Sequence, residues 1–320
     1  MNALTTVVEA QGPEVTRLMA RVERRMAELA GGHGPVLERF AGDTLTAGGK
    51  RLRPLLVFLT AGVPVPESEA LVRAAVAVEL VHAATLVHDD VLDGSALRRG
   101  HPTVVAAGGR LMATATGDLL FSRAFAELTR GGSLRAVRIL SRASSELADG
   151  ELMQRSDAWD AEITIERYLE RCRLKTAVLF RAACELGALE GAVADPGALG
   201  SFGERIGLAF QILDDILDVS GPAERTGKPR GADLLDGTVT LPLIVARVAD
   251  EELRALDLRT VRREDAGALC ERIAATGALS VCRERALAEV ARAKALLPVL
   301  PDQQRAALDL VADGVVERYA

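Results

Sequence analysis

The chain has 320 residues, 49% of them apolar and only 3% aromatic, with 39 Lys and Arg against 45 Asp and Glu for a formal charge of −6. That length has room for one large core or two smaller ones, while the acidic balance and the scarcity of aromatic platforms weigh against nucleic acid as a partner. No run of about 18 uninterrupted apolar residues occurs and the N-terminus lacks basic and apolar signal regions, so no transmembrane segment, no secretion and a cytoplasmic location are expected.

Apolar residues recur at spacings of three and four nearly throughout, and strand-like alternation bounded by hairpin signals is absent. The reading is all-α. No Ser/Gly/Pro linker or composition shift marks a boundary, so residues 1–320 are read as one domain. In chain order the expected helices are 14–30, 35–47, 54–62, 67–93, 109–130, 134–154, 164–190, 196–219, 238–250, 263–276, 279–297 and 302–318. Stops are expected at Gly31-Gly32, Gly94, Gly131-Gly132, Gly191 and Gly221, and openings at Pro35, Pro54, Pro66 and Pro196. Four cysteines, Cys172, Cys184, Cys270 and Cys282, show no CxxC spacing and read as ordinary core or surface residues of a reducing compartment.

Two of these helices end in the same acidic pentad. Asp89-Asp90-Val91-Leu92-Asp93 closes 67–93, and Asp214-Asp215-Ile216-Leu217-Asp218 lies at the end of 196–219. Residues i and i+4 stack on one helix face with i+1 beside them, so each pentad offers up to three carboxylates. Six carboxylates in apolar surroundings do not stay ionised without cations. Hard oxygen ligands in an incomplete protein shell suit Mg²⁺, which keeps several waters and takes a substrate's phosphate oxygens. The negative pole at each helix C-terminus adds to the attraction.

Basic residues flank the pentads: Lys50, Arg51 and Arg53 between Gly48-Gly49 and Pro54, Arg98-Arg99 just after the first pentad, Lys175 beside Thr176, and Lys228 and Arg230 in a Gly/Pro loop after the second. Acidic metal motifs beside Lys and Arg clusters make a site for a small phosphorylated substrate. His82 and His88, on the helix of the first pentad, read as packing or hydrogen-bonding groups.

The chain resembles the trans-isoprenyl diphosphate synthases, the polyprenyl synthetase family. The resemblance rests on G-G-K-R-L-R-P at 48–54, E-L-V-H-A-A-T-L-V-H-D-D-V-L-D-G-S-A-L-R-R-G-H-P-T at 79–103, G-D at 117–118, G-E-L-M-Q at 150–154, K-T at 175–176, F-Q-I-L-D-D-I-L-D at 210–218, G-K-P-R-G-A-D-L at 227–234 and T-L-P at 240–242. It implies an antiparallel helical bundle around a deep central cavity, the class I isoprenoid synthase fold, usually as a homodimer. By that resemblance Asp89, Asp93 and Asp214 bind three Mg²⁺ ions on the diphosphate of an allylic substrate, with Asp90, Asp215 and Asp218 nearby. Arg98, Lys175, Thr176, Gln211 and Lys228 hold the same diphosphate, and Lys50, Arg53, His82 and Arg99 hold that of isopentenyl diphosphate. The implied reaction is head-to-tail condensation of the two, releasing pyrophosphate.

Product length is read from the side chains one turn before the first pentad. Ala84 and Thr85 are small where short-chain farnesyl-type members of the family commonly carry aromatic blocks, so the cavity reads as open. Phe121 and Phe125, at i and i+4, read as a floor or as a plain core pair. An all-trans product longer than C15 is expected, with a C15 or C20 synthase as the alternative. A class I terpene cyclase and a catalytically silent subunit are the remaining rivals; the second pentad and the second basic cluster speak against the first, and the intact pentads against the second.

Overall fold

The computed structural model describes residues 13–32, 34–46, 49, 51–98, 100–191, 193, 195–221 and 230–317. Capping chemistry sets the helix ends. Ser68, Thr103, Ser133 and Thr164 stand in extended backbone, and each accepts an N–H from three residues on; Asp195, ahead of Pro196, accepts one from Ala198. Those oxygens take up amide hydrogens that a first helical turn leaves unpaired. Gly94, Gly131, Gly191 and Gly221 occupy C-terminal cap positions, where stops are expected from the sequence. Gly94 does so in the left-handed region, φ 62°.

In chain order the elements are α1 (Pro13–Ala30), α2 (Pro35–Thr46), α3 (Leu52–Ala61), α4 (Glu69–Asp93), a two-residue ladder of β1 (Leu97–Arg98) with β2 (His101–Pro102), α5 (Val104–Arg130), α6 (Leu134–Ser156), α7 (Ile165–Cys172), a π-helical turn (Arg173–Ala177) and α8 (Val178–Glu190). There follow α9 (Pro196–Ser220), α10 (Ala232–Leu235), α11 (Leu241–Ala249), α12 (Glu251–Ala255), a 3₁₀ turn (Leu258–Thr260), α13 (Ala266–Ala275), α14 (Ala278–Leu296) and α15 (Asp302–Glu317). The fold is all-α, and one buried apolar cluster runs from Val15 to Val315.

At its centre α4 packs along α5 and touches α1, α3 and α8, while α9 packs between α8 and α14. Helix α4 has the length and apolar composition of a membrane span, yet most of it is buried inside the protein. From Leu71 to Val81 only Arg73 escapes full burial, and a helix apolar on every face belongs in a core of this size. Helices α8 and α9 meet backbone to backbone. A Cβ on Gly203 would stand 2.6 Å from the Phe180 carbonyl oxygen, and one on Gly207 would stand 2.6 Å from the Cα of Ala177, the last residue of the π turn that leads into α8.

Several expected boundaries shift for local reasons. The stretch 164–190 divides at the π turn, which carries Lys175 and Thr176; such turns widen a helix by one residue and recur at functional sites. A short helical stretch capped by Thr103 precedes the helix expected from 109, and the two are separated by a kink at Gly109 (φ 78°, ψ 172°). The one expected from 238 begins at Leu241, after Thr240 in extended backbone. Helices α10 and α12 and the 3₁₀ turn are too short to show periodicity.

Candidate active site

The C-terminal turns of α4 meet the C-terminal half of α9 across a cavity of 190 Å³. Asp89 and Asp93 enter it from α4, Gln211 and Asp215 from α9, Lys175 and Thr176 from the π turn, Gln154 from α6, and Asp233 and Asp236 from the segment after the second pentad. A chain of hydrogen bonds fixes the α9 side. Thr176 Oγ1 donates to Gln211 Oε1, Gln211 Nε2 donates to Asp215 Oδ1, and the Tyr168 hydroxyl donates to Asp215 Oδ2, each at 2.7 Å. Tyr168 is fully buried, so its hydroxyl has no water to compete with that acceptor. Burial and the charge of Asp233 push the Asp215 carboxyl well up, against the hydrogen bonds from Tyr168 and Gln211.

On the α4 side, burial lifts Asp89 to about 6; Lys175 pulls it down, and the charges of Glu151 and Asp93 raise it further. The cations are held by neighbouring acids. Lys175 Nζ lies 2.5 Å from Glu151 Oε2, Arg155 Nη2 lies 2.6 Å from Asp93 Oδ1, and Arg98 forks onto Asp90 at 2.8 to 3.1 Å. Asp90 is buried and turned away from Asp89 and Asp93, as its i+1 position dictates.

Of the second pentad, Asp215 lines this cavity. Asp214 and Asp218 are half-buried elsewhere on α9, and Asp218 Oδ2 accepts the Asp233 N–H at 3.3 Å. Gln211 and Asp215 share a face four residues apart, whereas Asp214 points about 100° round the helix from Asp215. From the sequence Asp214 is expected on the metals with Asp215 and Asp218 nearby; at this wall it is Asp215, beside Gln211, that lines the cavity.

A second cavity, 390 Å³, shares Leu86 and Arg98 with the first and is walled by Arg39, Asp43, Arg51, Glu79, His82 and His101. Within it Arg51 is taken up by Glu23, Glu79 and the Leu45 carbonyl. Arg53 lies off this wall, with its guanidinium 4.4 Å from the Phe180 ring centroid. Lys50, Arg99 and Lys228 lie outside the described residues.

A third cavity, 530 Å³ and mostly apolar, shares Asp89 and Lys175 with the first. Its walls include Thr85, His88, Val91, Phe121, Leu147 and Leu152. His88 stacks on Phe121 with centroids 5.8 Å apart, and lies so close to Gly117 that a Cβ there would fall 2.2 Å from Nε2. Two wall residues expected from the sequence are elsewhere. Ala84 is fully buried in the core, one position round α4 from Thr85, and Phe125 packs against the apolar cluster rather than the cavity.

Tyr168, Glu151, Arg155, Arg171, Asp233 and Asp236 are residues of the site that the sequence does not mark as such. Tyr168 and Arg171 precede Lys175 by seven and four residues, a helical stripe that leads to the K-T pair. Asp233 and Asp236 follow the Gly/Pro loop at i, i+3 spacing.

The residues suit divalent cations. Carboxylates face one cavity from opposite walls, and burial holds Asp89 away from its ordinary ionisation, a penalty that a bound cation would reverse. Among the described residues no three acidic, imidazole or thiol groups converge on one point.

Residues 34–274 match the polyprenyl synthetase family. The octaprenyl diphosphate synthase of Escherichia coli (strain K12) is 36% identical over 309 residues, 91% of this chain and 96% of its own. Heptaprenyl diphosphate synthase component 2 of Geobacillus stearothermophilus is 44% identical over 225 residues, 70% of either chain. A polyprenyl synthase from Caulobacter crescentus CB15, crystallised with calcium and isoprenyl diphosphate, superposes with a TM-score of 0.92 at 37% identity over 98% of both chains. Sequence and fold agree: this chain belongs to the polyprenyl synthetase family.

Proposed function

We propose that this protein condenses isopentenyl diphosphate with an allylic prenyl diphosphate head to tail, releasing pyrophosphate and building an all-trans polyprenyl diphosphate longer than C15. The observation that carries this is the series of three cavities, joined through shared walls: Leu86 and Arg98 on one side, Asp89 and Lys175 on the other. An allylic diphosphate seated between the pentads sends its tail past Thr85 towards Phe121. The basic-walled cavity beyond Arg98 is left for the second diphosphate.

Asp89 and Asp93 from α4, with Asp215 from α9, would hold the cations, in this reading three Mg²⁺, which when bound would offset the negative charge of the departing pyrophosphate. A role for Asp214, which does not line this cavity, rests on the family resemblance. Lys175 and Arg98 orient the diphosphate, and Thr176 and Gln211 fix the α9 wall against which it lies. Loss of pyrophosphate leaves an allylic cation, and the double bond of isopentenyl diphosphate attacks it from the side of His82. Proton loss, with pyrophosphate as base, gives a product one C5 unit longer. The apolar walls formed by Val91 and Leu147 keep water from the cation. Roles for Lys50, Arg99 and Lys228 rest on the family resemblance.

The reading includes a cytoplasmic homodimer. Leu111 on α5 and Leu152 on α6 are 89% and 69% exposed, apolar surface that a second copy would cover. The test is pyrophosphate release, measured with each substrate alone and with both. Release is expected only with both, one pyrophosphate per isopentenyl diphosphate consumed. Release from the allylic diphosphate alone would point instead to a cyclase.

A further inference from the structure

Among the described residues, three cations border the acidic cavity: Arg98, Arg171 and Lys175. Two, which the reading above sets on the diphosphate, each also hold a carboxylate, Arg98 that of Asp90 and Lys175 that of Glu151. Arg171 differs. It is 3% exposed; its Nη2 donates to the Val239 carbonyl, and its Nη1 is buried without a hydrogen bond. Nη1 approaches Asp157 Oδ2 only to 3.7 Å, and Asp157 is already forked by Arg167 at 2.9 to 3.1 Å. The guanidinium lies 5.7 Å from the centroid of Tyr168, the residue that donates to Asp215.

A buried guanidinium with an unmatched N–H is unfavourable until an acceptor reaches it. The cavity it lines is the one in which the reading above seats the diphosphate, and the guanidinium fork is the side chain best matched to phosphate. Its bond to Val239 also steadies the strand-like stretch that sets Thr238 and Thr240 on the cavity wall. We infer that Arg171 is a further recognition residue for the allylic diphosphate, its open N–H edge turning to phosphate oxygens from the α7 side. This rests on the function proposed above and adds a residue to it.

The test is titration of inorganic pyrophosphate with Mg²⁺ into wild type, R171M and R171K by calorimetry, with KM for both substrates and a thermal melt. R171M is expected to weaken pyrophosphate binding and raise the allylic KM by about tenfold or more, with KM for isopentenyl diphosphate changed by less than about twofold. R171K keeps the charge but not the fork, and is expected to lose about threefold or more. Unchanged pyrophosphate affinity in a folded R171M, or in R171K should R171M fail to fold, would reduce Arg171 to a structural role and overturn the inference. Pyrophosphate binding needs no turnover, so this result is separate from failure of the function itself, which wild type would show by consuming no isopentenyl diphosphate.

Discussion

Thr85 and Ala84 show how one residue step on a helix changes a role. Both are small, and both lie one turn before the first pentad, so the sequence marks the right turn of α4. Which of them faces the tail depends on the rotation of α4 against α5 and α6, a tertiary property that local pattern does not carry. Thr85 lines the apolar cavity and Ala84 is sealed in the core. Thr85→Phe is therefore expected to shorten the product by at least one C5 unit with little change in stability. Ala84→Phe, by contrast, is expected to cost about 1–3 kcal/mol through overpacking. Product chromatography and urea denaturation on the two variants check this, and shortening confined to Ala84→Phe would reverse the assignment. The same ambiguity separates Asp214 from Asp215. The pentads themselves were legible, because paired acids inside apolar helical runs have no cheap structural explanation.

Elements were legible where caps and glycines punctuate them and obscure where backbone geometry departs from the ideal helix. Nothing in Arg173-Leu174-Lys175-Thr176-Ala177 announces a π turn, since the extra residue is a response to packing against α6 and α9. Long-range polar links were equally hidden. Glu127 on α5 is fully buried, yet it gathers Arg25 from α1, Arg73 from α4 and Arg130 at its own helix end. Burial pushes its carboxyl up, but the hydrogen bond from Arg25 and the three positive charges more than offset this and hold it below its usual value. A carboxylate depressed in the folded state binds fewer protons there than when unfolded. Its contribution is thus complete above the ordinary carboxylate range and fades as pH falls through the depressed value. Glu127→Gln is expected to cost about 3 kcal/mol near neutral pH, because three arginines lose their shared anion. The difference from wild type should narrow below about pH 4.5. Chemical denaturation at several pH values would test this, and a pH-independent difference would assign the loss to packing.

At the scale of the whole molecule, the bundle serves to hold two acid-bearing helices at a separation that the sequence alone could not specify. The glycines of α9 let it close onto α8, while α4 is fixed by burial on every side. Between them lie three cavities joined through shared walls, the acidic one bordering each of the other two. Thr85 is a small side chain on the wall of the apolar cavity, which the stacked His88 and Phe121 also line. The central claim, elongation into that apolar cavity, is tested most directly by incorporating labelled isopentenyl diphosphate with Mg²⁺ and C5, C10, C15 or C20 allylic starters, with products resolved by length. The account predicts a ladder that extends beyond C15. Termination at C15 from the shorter starters, with no extension of a C15 starter, would contradict it.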